Sequence, residues 1–198
     1  MTVLDDQLAE LMAMPPAQLR SAWRDTFKSP APDIGPDLLR RGIANRLQER
    51  VHGSLTGATK REIERLRKRV EWTGKAGYAH AISLKTGTKL VSKGSELRLA
   101  IAPDNGPAKH QPDPVLVRLI AKAFAARDYL IDGTTSPMIS DYSQRHLRNL
   151  ARLSFLAPDI ITAIVRGSQP VNLTGRRLLR AGDLPLDWAG QRTLLGFE

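Results

Sequence analysis

The chain has 198 residues, a formal net charge of +10 and an isoelectric point near 10.4. Hydrophobic residues make up 41% and aromatics only 5%, so the chain can bury a core and that core is aliphatic. The absence of cysteine excludes disulfides and zinc–thiolate sites, and no apolar run approaches the ~18 residues a membrane span needs.

The N-terminus, MTVLDDQLAE, is acidic and has no apolar signal core, which points to a cytoplasmic protein. In chain order, residues 3–13 place Val3, Leu4, Leu8, Leu11 and Met12 at helical spacing. Pro15 and Pro16 break that helix. Residues 17–28 then set Leu19, Trp23 and Phe27 on one stripe, four residues apart. SPAPDIGP is a loop. Pro36 opens a helix to about His52, with Leu38, Leu39, Ile43, Leu47 and Val51 expected inside and Gly53 as its stop. Thr56 or Thr59 caps a fourth helix, KREIERLRKRVEW, with Ile63, Leu66 and Val70 inward.

Residues 73–112 are rich in glycine and proline. Leu90-Val91 and Leu97, Leu99 and Ile101 alternate as a small hairpin or an extended linker would. Helices resume at Asp113, a cap, and Pro114, with Val115, Leu116, Leu119, Ile120, Ala123 and Phe124 in a helix to about Ile131. DGTTSP is a turn and Met138–Tyr142 a stub. Ser143 caps the next helix. Pro158 starts another that Gly167 stops, Thr174 caps GRRLLRA, and Pro185 starts a last short helix containing Trp188.

The fold expected is therefore mainly α. It comprises an N-terminal helical domain (1–72), a Gly/Pro-rich linker or hairpin (73–112) and a helix-turn-helix-like domain (113–198).

The helix after Ser143 carries the main functional signal. Leu147, Leu150, Ala151 and Leu153 form its apolar face. Gln144, Arg145, His146, Arg148, Asn149 and Arg152 occupy the others. Arg, Asn and Gln are the side chains that bond base edges two at a time in the major groove. A recognition helix reads with its N-terminal residues, which selects Ser143 to Asn149, while Arg152, a turn further on, suits a phosphate. The second constellation is residues 60–69. Glu62 and Glu64 pair with Arg65, Lys68 and their neighbours, leaving Lys60, Arg61, Arg67 and Arg69 in surplus. With Lys68, these residues suit phosphate tracking without sequence choice. The blander reading of both stretches is a solvated basic helix face.

No catalytic constellation stands out. His52, His80, His110 and His146 lack metal-ligand spacing, and no phosphate-cradling glycine loop or nucleophile elbow occurs. Ser136, Asp141, Ser143 and His146 lie close in sequence, but polar turn residues of this kind are usually caps. No metal, cofactor or catalytic activity is expected.

Two stretches carry resemblances. LRLAIAPDN, PDPVLVRLIAKAFAARDYLI, RHLRNLARLSFLAPDIITAIVRG and LTGRRLLRAGDLPLDWAGQRTLLGF, within residues 97–197, resemble the C-terminal region of phage-type bacterial serine recombinases. The middle of this stretch is similar to the helix-turn-helix of ParB-type and KorB-type proteins, which implies that Ser143 to Arg152 is a recognition helix. LAELMAMPPAQLRSAWRDTF, PDLLRRGIANRLQERVHG and LKTGTKLV resemble an uncharacterised domain found in phage and mobile-element neighbourhoods. The pattern at 17–51 also has a likeness to SAP-type DNA-binding modules. No resolvase-like catalytic segment and no zinc-ribbon cysteines accompany the match. TSPMISDY stands where the first helix of the motif is expected.

Together these imply a nucleoid-associated protein of a prophage or mobile element that binds double-stranded DNA, as a transcriptional regulator or recombination accessory factor. A homodimer on paired half-sites and a recombinase or phage protein are the implied protein partners. The rival expectation is a structural or interaction protein of a phage-like particle whose basic surface meets an acidic partner.

Overall fold

The computed structural model describes residues 2–73, 89–93, 96–100, 112–180 and 184–197. At its centre is a helix, α5 (Pro114–Asp132), with buried side chains all around its axis: Leu116, Val117, Leu119, Ile120, Ala121 and the run from Ala123 to Ala126. A helix apolar on every side must be covered by others. Its alanines let those neighbours come close. Asp113 caps it by accepting from the amides of Val115 and Leu116, and Gly133 (φ 71°) ends it in the left-handed conformation.

The helices before it are α1 (Val3–Ala13), α2 (Pro16–Phe27), α3 (Pro36–His52) and α4 (Gly57–Thr73). After it come α6 (Gln144–Arg152), a 3-10 turn at Leu153–Phe155, α7 (Pro158–Arg166), α8 (Gly175–Arg180) and α9 (Trp188–Leu195). The protein is mainly helical. Strands β1 (Lys89–Lys93) and β2 (Glu96–Ala100) pair antiparallel with Leu90 opposite Leu99, the hairpin that the alternation of this stretch suggests. Most of 73–112, with the side chains of Val70 and Ile101, lies outside the described residues. Among the described residues, no helix is long and apolar enough to cross a membrane.

The helices on either side of residues 73–112 share one hydrophobic cluster, which runs from Leu8 and Trp23 through Ile43 and Phe124 to Leu178 and Leu195. α4, α6, α7 and α8 all pack on α5, and α3 packs on α6. Polar bonds cross the same boundary. The buried Arg41 of α3 donates to the carbonyl of Leu184 at 2.8 Å. The buried Gln48 donates to the carbonyl of Leu186 at 2.9 Å and accepts from the amide of Trp188 at 2.7 Å. A second buried amide, Gln191, accepts from the Ala157 amide and donates to the Pro185 carbonyl, tying α9 to the start of α7. Leaving such groups unpaired costs about 1–3 kcal/mol each, so every one of these bonds specifies the docking.

Several details differ from the sequence reading. Val3, Met12, Val51 and Val115, each at or near a helix end, are exposed. The last helix begins at Trp188 rather than Pro185. Asp187 caps it by accepting from the Gly190 amide, and the Pro185 carbonyl is engaged by Gln191. α4 starts at Gly57, with Thr56 as the cap that accepts from Thr59.

Gly42 sits inside α3 despite the roughly 1 kcal/mol that glycine costs there. The Trp23 ring occupies the space: a Cβ on Gly42 would lie 2.6 Å from Trp23 Cζ3. Trp23 is itself stacked on Phe27 at 4.2 Å. Gly42→Ala is therefore expected to destabilise the protein by about 1–3 kcal/mol in denaturant titrations, overpacking outweighing the gain in helix propensity.

α7 and α9 are joined at the surface by a two-pronged ion pair, Arg192 Nε to Asp159 Oδ2 at 2.7 Å and Nη2 to Oδ1 at 3.0 Å. Partial burial pushes the Asp159 carboxyl up, but the Arg192 hydrogen bonds and charge and the backbone amides of α7 outweigh it. They hold the group below its ordinary value. A depressed carboxyl stabilises the fold above its unfolded pKa, about 3.9. The stability gap between the wild type and Asp159→Asn is therefore expected to be constant from pH 5 to 8. It should shrink below about pH 4, as measured by denaturation at each pH.

Candidate nucleic-acid interface

The site is built on α6. Ser143 accepts from the amide of His146 at 3.3 Å and so satisfies one open donor at the helix start. Leu147, Leu150 and Ala151 are buried against the core, one stripe at helical spacing. Gln144, Arg145, His146, Arg148 and Asn149 are exposed. The first turn holds no acidic residue, so the partial positive charge of the helix start faces outward unopposed within the helix.

α5 ends at Asp132, and residues 133–143 lead into α6 through a turn at 137–141. Ile139 anchors this segment in the core. The polar residues nearby make local bonds. Ser136 accepts from the Met138 amide, and Ser140 donates to Asp141. Support for α6 comes from elsewhere. The Tyr142 ring meets the His146 ring at 4.5 Å, and Lys122 of α5 hydrogen-bonds to the Tyr142 hydroxyl. At the other end, Arg152 Nε donates to Asp37 Oδ2 at 2.9 Å, while Asp37 also takes Arg41 Nε at 3.2 Å. α6 is thus fixed at both ends, by α5 and by α3. The Lys122–Tyr142 and Arg152–Asp37 contacts escape a sequence reading because the partners lie 20 and 115 residues apart in the chain.

The expectation for two arginines changes. Arg152 stands in an ion pair between α6 and α3, where an open phosphate contact was expected. Arg67 is not surplus charge. Its side chain is 17% exposed, and it bonds Asp128 of α5 at 2.8 Å with Glu64 at 3.4 Å, because α4 must dock on α5 and the pair lies at that seam. Arg65 does pair with Glu62, at 3.6 Å. Lys60, Arg61, Lys68 and Arg69 are exposed on α4. The two basic helices are therefore held on one central helix. Among the described residues, no group of three or more His, Asp and Glu side chains gathers as metal ligands would.

Asp37 serves two guanidiniums at once, so Asp37→Ala strands the buried Arg41 and loosens the end of α6. The expected loss is about 1–3 kcal/mol in equilibrium unfolding, reduced from a fully buried pair by the partial exposure of Asp37.

Residues 5–105 match a family described as proteins of unknown function, DUF2924. The match ends before α5. No curated protein and no solved structure matches the chain.

Proposed function

We propose that this chain, which belongs to the DUF2924 family, binds double-stranded DNA through the outer face of α6. The observation that carries this reading is the face itself: Gln144, Arg145, Arg148 and Asn149 are exposed together on a helix buried along its opposite side and tethered at both ends. A helix of about 10–12 Å diameter fits a major groove about 12 Å wide. Arg145 and Arg148 have the forked donors that suit guanine, and Gln144 and Asn149 the paired donor and acceptor that suit adenine. Lys60, Arg61, Lys68 and Arg69 on α4 add phosphate attraction, in keeping with the net charge of +10. The resemblance of residues 97–197 to serine recombinases favours a prophage or mobile-element setting. The role is that of a regulator or recombination accessory factor at the nucleoid, acting by binding alone. Two copies on paired half-sites, or one copy beside a recombinase, are the assemblies this implies.

The test is titration of the full chain with random and genomic duplexes at two salt concentrations. Arg145→Ala and Arg148→Ala are each expected to cost about 1–3 kcal/mol on the preferred duplex and to flatten the preference. Lys68→Ala should weaken all duplexes alike and lower the salt slope by about one. Unchanged DNA affinity in both α6 variants would refute the assignment. Tight binding to polyglutamate with none to duplexes would favour a surface for acidic proteins instead.

A further inference from the structure

Away from α6, a cleft of about 440 Å³ opens between α8 and α9, lined by Thr174, Arg176, Arg177, Arg180, Leu194 and Leu195. Arg177 is locked in place by its 2.9 Å bond to the Leu194 carbonyl. Arg176 and Arg180 are exposed one helical turn apart. Arg67, Arg152 and Arg192 each meet a carboxylate. Among the described residues, no carboxylate meets Arg176, Arg177 or Arg180. α8 itself carries no acidic residue. Three like charges lining one cleft repel one another, and an anion between them lowers that cost.

The ligand class follows from the chemistry. A guanidinium fork matches phosphate oxygens two at a time. Leu194, 41% exposed at the rim, offers an apolar surface that suits a sugar and has no use to a bare ion. Position adds a second argument. α8 is packed tightly on α5, since a Cβ on Gly175 would lie 3.0 Å from Val115 Cγ1. The entry to α6 is tied to Lys122 of the same helix. Val115 and Lys122 are two turns apart, about 10 Å along the axis, so α8 and the entry to α6 both rest on the first half of α5.

We infer that this arginine cleft binds a phosphodiester of the duplex backbone that flanks the groove α6 enters. The inference rests on the DNA reading of α6. The experiment compares the full chain with Arg176→Ala/Arg180→Ala, and with Arg20→Ala/Arg24→Ala as a charge-matched control on α2. Binding to random and genomic duplexes is measured across a salt series, and melting temperature reports folding. The cleft variant should keep its melting temperature, lose about two from the salt slope and weaken on every duplex by one common factor, while the control keeps its slope. Inorganic phosphate alone should bind far more weakly than the duplex. An unchanged slope in the cleft variant, with Arg145→Ala still erasing preference, would overturn the cleft and spare α6. Equally tight inorganic phosphate, or polyglutamate binding lost in the cleft variant with the duplex slope intact, would also overturn it. A wild-type chain that binds no duplex would sink both readings.

Discussion

Much of this fold depends on the buried amide of Gln48. From the C-terminal part of α3 it grips the C-terminal chain at two points, the Leu186 carbonyl and the Trp188 amide, while its own helix supplies the Ala44 carbonyl. Two turns earlier, Arg41 holds the Leu184 carbonyl. One helix face thus fixes the approach to α9. In turn, Gln191 of α9 fixes the start of α7 through the Ala157 amide. Leu184 and Leu186 bury this approach against the core, and the directional bonds fix its register, because in a dry interface each has no water to replace it. The family match stops at residue 105, yet the packing does not respect that limit.

This constraint shapes how the charge is used. Arginines on α3 are largely structural. Arg40 covers the open carbonyls of Leu11 and Met14 at the end of α1, and Arg50 reaches the Thr26 carbonyl near the end of α2. Arg67 and Arg152 meet carboxylates across helix seams, and Arg41 meets Asp37 within α3. The net charge of +10 therefore overstates the cations open to a partner. The exposed ones described here lie chiefly on the outer faces of α4, α6 and α8, and a polyanion would find them there.

What was legible in the sequence was local. The Leu19, Trp23 and Phe27 stripe, the Asp113 and Ser143 caps and the stops at Gly53 and Gly167 depend on residues within a turn of one another. The apolar face of α6 was legible for the same reason, and so was the exposed face of the candidate site. The roles of Gln48, Arg41, Asp37 and Gly42 were not. Leu186 lies 138 residues from Gln48, and Asp37 lies 115 from Arg152. No periodicity encodes such a pairing. Gly42 reads as a weak point of α3 until the Trp23 ring is seen against it. Val51 has the right spacing for burial but is exposed in the last turn of α3.

If a tethered α6 presents its outer face to a duplex, that face must sense the duplex first. The most direct measurement is amide NMR of the labelled full chain as a genomic duplex is added. Shift changes should concentrate at Ser143 to Asn149, with smaller ones on the outer face of α4. Changes that leave residues 143–149 untouched while the duplex binds elsewhere would contradict it.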